Sequence, residues 1–218
     1  MTRPTSDPLA RQPRKGAVVL RALPEPSDEA LVEKIRQGDT QAADWLCRRY
    51  APHVTRILAR ILGSDPDLVD AAQEVLLRCV DEIGKLRDPK AFRAWVTALA
   101  VTQAKGVLRR RIRWRWLFGE RLEADPLDDR DPESAEAVRA VYATLGKLNV
   151  EERTLFALRY LEGMELTEVA EAMGMSLATL KRRLVATHKR FAVHAAAHPS
   201  LERWLQGSRF DESGEERT

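Results

Sequence analysis

The chain has 218 residues, 44% of them hydrophobic and 32% charged, with 36 Lys and Arg against 33 Asp and Glu. This apolar content suits one large domain or two small ones, and a net charge of only +3 means that any anion-binding surface must come from local clustering of cations. No apolar run is long enough for a signal peptide or a membrane span, and Cys47 and Cys79 lack metal-ligand spacing, so we expect a cytoplasmic protein with reduced thiols and no membrane insertion.

Residues 1–27 are rich in Pro, Arg and Ser, lack apolar periodicity, and are predicted to be a disordered basic tail. After them, apolar residues recur three or four positions apart, and Asp-Pro pairs at 65–66, 88–89 and 131–132 are typical helix starts. Pro52 is expected to kink or split the second helix. No stretch alternates as a strand would, so the predicted fold class is all-α. The predicted helices span about 28–37, 40–62, 66–84, 89–113, 132–146, 150–162, 166–173 and 177–196.

Composition changes at residues 119–134, GERLEADPLDDRDPES, which contain seven acidic residues and almost no apolar ones. Such a segment is typical of a flexible linker. It divides the chain into a helical domain at 28–118 and a smaller one at 135–196, followed by a C-terminal tail at 197–218 in which one or two further helical turns are expected.

The arginine-rich stretch VLRRRIRWRWLF (107–118) ends the first predicted domain. Its arginines favour contact with phosphates. Trp114 and Trp116 either stack on unpaired bases or pack on the core, and the sequence leaves both interpretations open.

The stretch LTEVAEAMGMSLATLKRRL (166–184) has the pattern of a helix-turn-helix. Gly174 is expected to end the first helix in a left-handed conformation, and Ser176 to cap the second. The second helix has small and basic residues on its predicted solvent face, which favours a DNA major groove over a merely solvated basic helix. Its predicted inward-facing residues are Leu177, Leu180, Leu184 and Phe191.

The polar stripe of Asp67, Asp70, Gln73 and Glu74 reads by itself as a solvated helix face. The four histidines have neither a nucleophile turn nor a metal-ligand spacing beside them, and no phosphate-binding glycine loop occurs. We therefore predict no catalytic residues, no metal, no cofactor and no enzymatic activity.

From about residue 29 to 192 the chain resembles the extracytoplasmic-function (ECF) sigma factors of bacterial RNA polymerase. DLVDAAQEVLLRCVDEI resembles the family's polymerase-docking helix, and AFRAWVTALAVTQAKGVLRRR its reader of the −10 promoter element. LNVEERTLFALRYLEGMELTEVAEAMGMSLATLKRRLVATHKRF resembles its −35 reader. The order and spacing of these motifs carry the resemblance.

The resemblance implies three sets of site residues and a loop, 84–90, that captures a flipped −10 base. The polymerase-binding set is Asp70, Gln73, Glu74 and Leu77. The −10 set is Lys90, Thr102, Lys105, Arg109, Arg110 and Arg111. The −35 set is Ser176, Ala178, Thr179, Lys181, Arg182 and Arg183. Phe92 and Trp95 match family aromatics that are expected to be mainly core.

The chain departs from the family at Thr102 and Gly106, where Asn and Asp are frequent, and this puts the usual −10 preference in doubt. The implied partners are core RNA polymerase, promoter DNA and, as a candidate, an anti-sigma factor. The acidic linker is expected to thread across the polymerase surface. The free domains are expected to shield their DNA faces by packing either on one another or on an anti-sigma protein. A stand-alone helix-turn-helix regulator is the alternative function, and an enzyme acting on nucleic acid is the least favoured.

Overall fold

The structure is a computed structural model that describes residues 26–118 and 132–202. Within these ranges it contains α-helices and short 3₁₀ and π turns but no strand, so the all-α prediction is confirmed. Most of the predicted linker and of the two tails lies outside the described residues. The helices are α1 (Asp28–Arg36), α2 (Thr40–Leu62), α3 (Leu68–Glu82), α4 (Phe92–Phe118), α5 (Pro132–Leu145), α6 (Val150–Phe156), α7 (Leu166–Met173) and α8 (Leu177–Ala195).

Most helix boundaries follow the capping signals of the sequence, and the largest differences from the prediction are at the end of α4 and at the end of α6, which stops at Phe156 rather than at 162. Helix α2 is not split at Pro52, and buried residues lie on both sides of the proline. Helix α3 begins at Leu68 because the Asp65 carboxylate accepts a hydrogen bond from the Asp67 backbone N–H at 2.8 Å and forms a turn before the helix. Helix α4 continues to Phe118, five residues beyond the predicted end.

Helices α1–α4 form the first bundle. Its centre is fully buried and includes Val54, Ile57 and Val96, and the Phe92 ring packs edge-on against Tyr50 at a centroid distance of 4.8 Å. Both cysteines are free thiols, as predicted, and burial raises the pKa of Cys79 to about 12, which leaves that thiol protonated and unreactive.

Helices α5–α8 form the second bundle. Phe156 and Phe191 stack at 4.0 Å at its centre. A π turn, Ala157–Leu161, follows α6, and a 3₁₀ turn, Pro199–Leu201, packs on α5 through the buried Leu201. The 3₁₀ turn is the further helical turn expected near the C-terminus.

The two bundles pack on each other, and we call their contact surface the seam. Helix α4 lies against α6 and α7, and α2 lies against the π turn. Leu155, Leu158 and Val169 of the second bundle belong to the same continuous hydrophobic core as the residues of α2 and α4. The structure therefore shows the bundles packed on one another. No helix in the described ranges has both the length and the apolar character that crossing a bilayer requires.

Candidate nucleic-acid interface

The predicted polymerase-binding residues share one exposed face of α3. Their spacing of three, one and three residues places them in a single stripe, because side chains three or four apart are neighbours on a helix. All four are exposed, and Leu77, at 66% exposure, is an apolar side chain that the described residues leave largely uncovered. Val69, at 63% exposure, extends the apolar part of this face. Gln103 of α4 donates a hydrogen bond to the Glu74 carboxylate and so orients it.

Two cations of the predicted −10 set lie at the seam. The Glu151 carboxylate at the start of α6 pairs with Lys105 at 2.9 Å and with Arg109 at 3.2 Å. The Lys105 side chain is left only 13% exposed, whereas Arg109 keeps 61%. In this arrangement one glutamate of the second bundle pairs with two cations of the first.

The other −10 candidates have different surroundings. Arg111 pairs with Asp65, whose side chain is 1% exposed, so this arginine also braces the loop between α2 and α3. Arg110 lies 3.5 Å from the Asp67 carboxylate and stays half exposed. Thr102 and Lys90 are exposed, and the Thr102 hydroxyl donates to the Ala98 carbonyl.

The helix-turn-helix geometry follows the sequence closely. Gly174 has φ 65° and ψ 39°, the left-handed conformation expected of the residue that ends α7. The Ser176 hydroxyl caps α8 by accepting from the Thr179 N–H at 3.2 Å, and Met175 packs on the core. A capping box between Glu165 and Glu168 begins α7. The turn thus fixes the direction in which α8 leaves the core.

The first turns of α8 present most of the predicted −35 set to solvent. Ser176, Ala178, Arg182 and Arg183 are exposed, and Thr179 and Lys181 are partly buried. Three of the four predicted inward residues are buried, but Leu177 is 38% exposed. The prediction for Leu177 was wrong, because the core covers α8 fully at Leu180, which is 0% exposed, but only partly at Leu177.

Sequence reasoning missed the polar contacts that hold the seam. The Glu162 carboxylate, with 9% of its side chain exposed, binds Arg56 of α2 at 2.6 Å and lies 3.7 Å from Arg60. Arg153 of α6 donates to the backbone carbonyls of Ile61 and Leu62, both at 2.8 Å, and so satisfies the free C-terminal carbonyls of α2. No local pattern identifies such pairs, because each joins residues about 90 to 106 positions apart.

Two further groups lie close to the seam. The Tyr142 hydroxyl donates to the Ala59 carbonyl at 3.1 Å, and its ring lies so close to Gly63 that a Cβ there would come within 3.0 Å of it. His53 shares a hydrogen bond with the Thr97 hydroxyl at 2.8 Å. Burial, followed by the positive charge of nearby arginines, lowers the pKa of His53 to about 4, so its ring is neutral at physiological pH.

The two cationic helices face a common cleft. Arg109 of α4 and Arg183 and Arg190 of α8 line a space of about 570 Å³, together with Glu151 and Glu152 of α6. Arg190 also pairs with Glu152. Helices α4 and α8 therefore border the same cleft in this arrangement.

Comparison with known proteins matches both bundles. The family model described as sigma-70 region 2 matches residues 46–115, and the one described as sigma-70 region 4 matches residues 139–188. The ECF RNA polymerase sigma-E factor of Haemophilus influenzae is 29% identical over 170 residues, which is 72% of this chain and 89% of the relative. The RNA polymerase sigma-H factor of Pseudomonas aeruginosa is 28% identical over 191 residues, 82% and 98% of the two chains.

Two solved structures share the fold. One is CnrH in complex with the cytosolic domain of CnrY, with a TM-score of 0.57 and 20% identity over 78% of this chain and 97% of the other. The second is the sigma factor RpoE of Bartonella quintana in complex with the anti-sigma factor NepR, with a TM-score of 0.55 and 14% identity over 70% and 96% of the two chains.

Proposed function

Because this chain belongs to the ECF group of the sigma-70 family and acts as an RNA polymerase sigma factor in transcription initiation, we propose that its two bundles divide promoter recognition between them. The first bundle binds core polymerase through α3 and the −10 element through α4. The second bundle places α8 in the major groove of the −35 element. The observation that carries the proposal is that each bundle exposes a cationic helix, α4 in one and α8 in the other, where the matched family region lies.

The exposed face of α3 has the composition of a docking surface for another protein. Leu77 and Val69 supply apolar area, while Asp70, Gln73 and Glu74 surround it with hydrogen-bonding groups. Interfaces commonly combine an apolar centre with a polar rim. We assign this face to core polymerase.

Helix α8 reads the −35 element in this proposal. Ala178 is small enough to let the helix approach the floor of the groove, and Arg182 and Arg183 reach guanine edges or phosphates. The Ser176 hydroxyl donates a hydrogen bond to the Thr179 hydroxyl at 3.0 Å. In this proposal the pair positions the first turn of α8 beside the DNA backbone. Lys181 contributes charge from the partly buried side of the helix.

The −10 element falls to the loop before α4 and to α4 itself. In this proposal Lys90, in the 3₁₀ turn Pro89–Ala91 before α4, contacts the opened strand, and Lys105, Arg109 and Arg110 contact DNA further along the helix. Arg111 acts mainly by holding the loop before α3, since its charge is opposed by Asp65. Thr102 and Gly106 stand where family members often carry larger polar side chains, so we propose an altered −10 preference.

The packed arrangement is the resting form of the protein, in our proposal. Elements 35 and 10 base pairs upstream are about 25 base pairs apart, roughly 85 Å of duplex. Since Arg109 and Arg183 line one cleft, α4 and α8 cannot reach both elements until the bundles separate. Glu151 meanwhile occupies Lys105 and Arg109, so the free protein binds DNA weakly. An anti-sigma factor, the kind of partner seen with RpoE of Bartonella quintana, would stabilise this form.

The protein works in the cytoplasm with polymerase and contributes no catalytic chemistry of its own, because phosphodiester synthesis belongs to the polymerase. Residues 119–131, outside the described ranges, carry the acidic linker that we expect to cross the polymerase surface. Replacing Asp125, Asp128, Asp129 and Asp131 by Ser should reduce transcript yield, and an unchanged yield would remove the linker from the proposal.

Run-off transcription with core polymerase on a library of promoter sequences tests the whole proposal. We expect transcripts that begin at defined positions, and a Leu77→Ala variant that neither captures core polymerase nor supports those starts. The matched control is Val193→Ala. Val193 is also an exposed apolar residue, at 73% exposure, but it lies on α8, so this variant should behave as wild type. Absence of any selective start with the wild-type protein would refute the proposal.

A further inference from the structure

The cationic face of α4 continues past the residues assigned to the −10 element. Lys105, Arg109, Arg113 and Trp116 are spaced four, four and three residues apart, so they share one side of the helix. Arg113 is exposed, and Trp116 is 87% exposed, the largest exposure among the large hydrophobic residues that the structure describes. The outer half of this face therefore lies open beyond the seam.

The charge of α4 is entirely positive. Its 27 residues include seven Lys and Arg and no Asp or Glu. Glu151 opposes two of these cations, and Asp65 and Asp67 oppose Arg111 and Arg110. Within residues 26–118 and 132–202, Arg113 has no carboxylate partner. An uncompensated cation beside an exposed indole is suited to a polyanion that also offers apolar surface.

We propose that Arg113 and Trp116 contact the sugar-phosphate backbone of the duplex between the two promoter elements, with Arg113 paired to a phosphate and the Trp116 ring against deoxyribose. The inference rests on the proposed function. The loop at 84–90 lies at the opened strand and at the N-terminal end of α4. Arg113 lies about 30 Å further along the helix, at 1.5 Å per residue. It therefore meets DNA that is still paired, on the side toward the −35 element.

The spacing of the cations also fits a nucleic acid. Lys105, Arg109 and Arg113 advance about 6 Å along the axis at each step. One DNA strand presents a charge about every 3.4 Å along its axis, so each step of the helix spans about two phosphates and brings the next cation to a different one. An acidic segment of a protein is the competing occupant, since Ile112 and Leu117 beside Trp116 are also exposed.

The test uses the complex of this protein with core polymerase, bound to a fluorescent promoter recovered from the transcription library, and measures the dissociation constant by anisotropy over a series of salt concentrations. Arg113→Gln should weaken binding about 3- to 10-fold and lower the slope of log affinity against log salt by about 1, because one phosphate contact is lost. Trp116→Ala should weaken binding without changing the slope. Arg48→Gln is the matched control, an arginine of α2 that is 80% exposed and paired with its neighbour Asp44, and should match wild type.

A second template separates DNA from a protein occupant. Methylphosphonate linkages in the duplex next to the −10 element should weaken binding by the wild-type complex, and Arg113→Gln should then add no further loss. Wild-type affinity and slope for Arg113→Gln on the unmodified promoter would overturn the inference. If Arg113→Gln weakened binding to core polymerase but left DNA affinity unchanged, the inference would be overturned and a protein would be the occupant of this face. A wild-type complex that starts no RNA chain would instead overturn the proposed function on which the inference rests.

Discussion

Replacing Glu151 by Gln tests the electrostatic role of the seam directly. The carboxylate holds Lys105 and Arg109, and its own side chain is 40% exposed. Exposed ion pairs contribute about 0.2–1 kcal/mol each, and the Lys105 pair, being the more buried, belongs near the top of that range. Together they oppose DNA binding by about 1 to 1.5 kcal/mol, so the variant should bind −10 DNA about 5- to 13-fold more tightly than wild type.

The assay is fluorescence anisotropy of the free protein with a forked DNA carrying the −10 element, repeated over a salt series. The control is Glu171→Gln, which removes the same charge from an exposed position on α7. The gain in DNA affinity of Glu151→Gln should vanish once core polymerase is added, because the two bundles are then already separated in the wild-type protein as well. If the two variants gained equally, net charge alone would explain the effect, and the seam would have no part in it.

Three further results follow from the structure. Gly106→Ala should raise stability by about 1 kcal/mol and the melting temperature by about 2–4 °C, since a Cβ there meets nothing within 4 Å; a lower melting temperature would show that the site is not open. His53 keeps a pKa of about 4 in the folded state against an ordinary 6.5, so only the unfolded chain takes up its proton between those values, and stability should fall as the pH drops from about 6.5 to 4. His53→Gln should flatten that slope in calorimetry, and an unchanged slope would assign it to other groups. Glu162→Gln should loosen the seam by removing its carboxylate from Arg56 and Arg60, which intramolecular fluorescence transfer between the bundles would detect as a larger mean distance; no change in distance would mean that apolar packing alone holds the seam.

Local features of the fold were predictable because local physics sets them. The left-handed Gly174, the Ser176 cap and the apolar faces of α3 and α7 all depend on residues within one or two helical turns. The continuous path of α2 through Pro52 was not predictable in this way. Proline weakens a helix locally, but the buried side chains on both sides of it are positioned by the rest of the bundle.

The seam was beyond the reach of sequence patterns. A pattern shows that α7 has an apolar face, yet it does not show that α4, across an acidic linker, covers that face. The partners of Arg111 and Lys105 illustrate the same limit, because the sequence alone predicts a phosphate-binding role equally for both side chains. Only the structure shows that Arg111 pairs with Asp65 of its own bundle, whereas Lys105 pairs with Glu151 of the other bundle and would be released when the bundles separate.

Arg153 gives α2 a C-terminal cap that is borrowed from the second bundle. When the bundles part, the carbonyls of Ile61 and Leu62 must turn to water, and the last turn of α2 should fray. Backbone amides in that turn would then exchange with deuterium faster. Their exchange rate, measured by mass spectrometry, would report how often the bundles separate, without a dye attached to the protein.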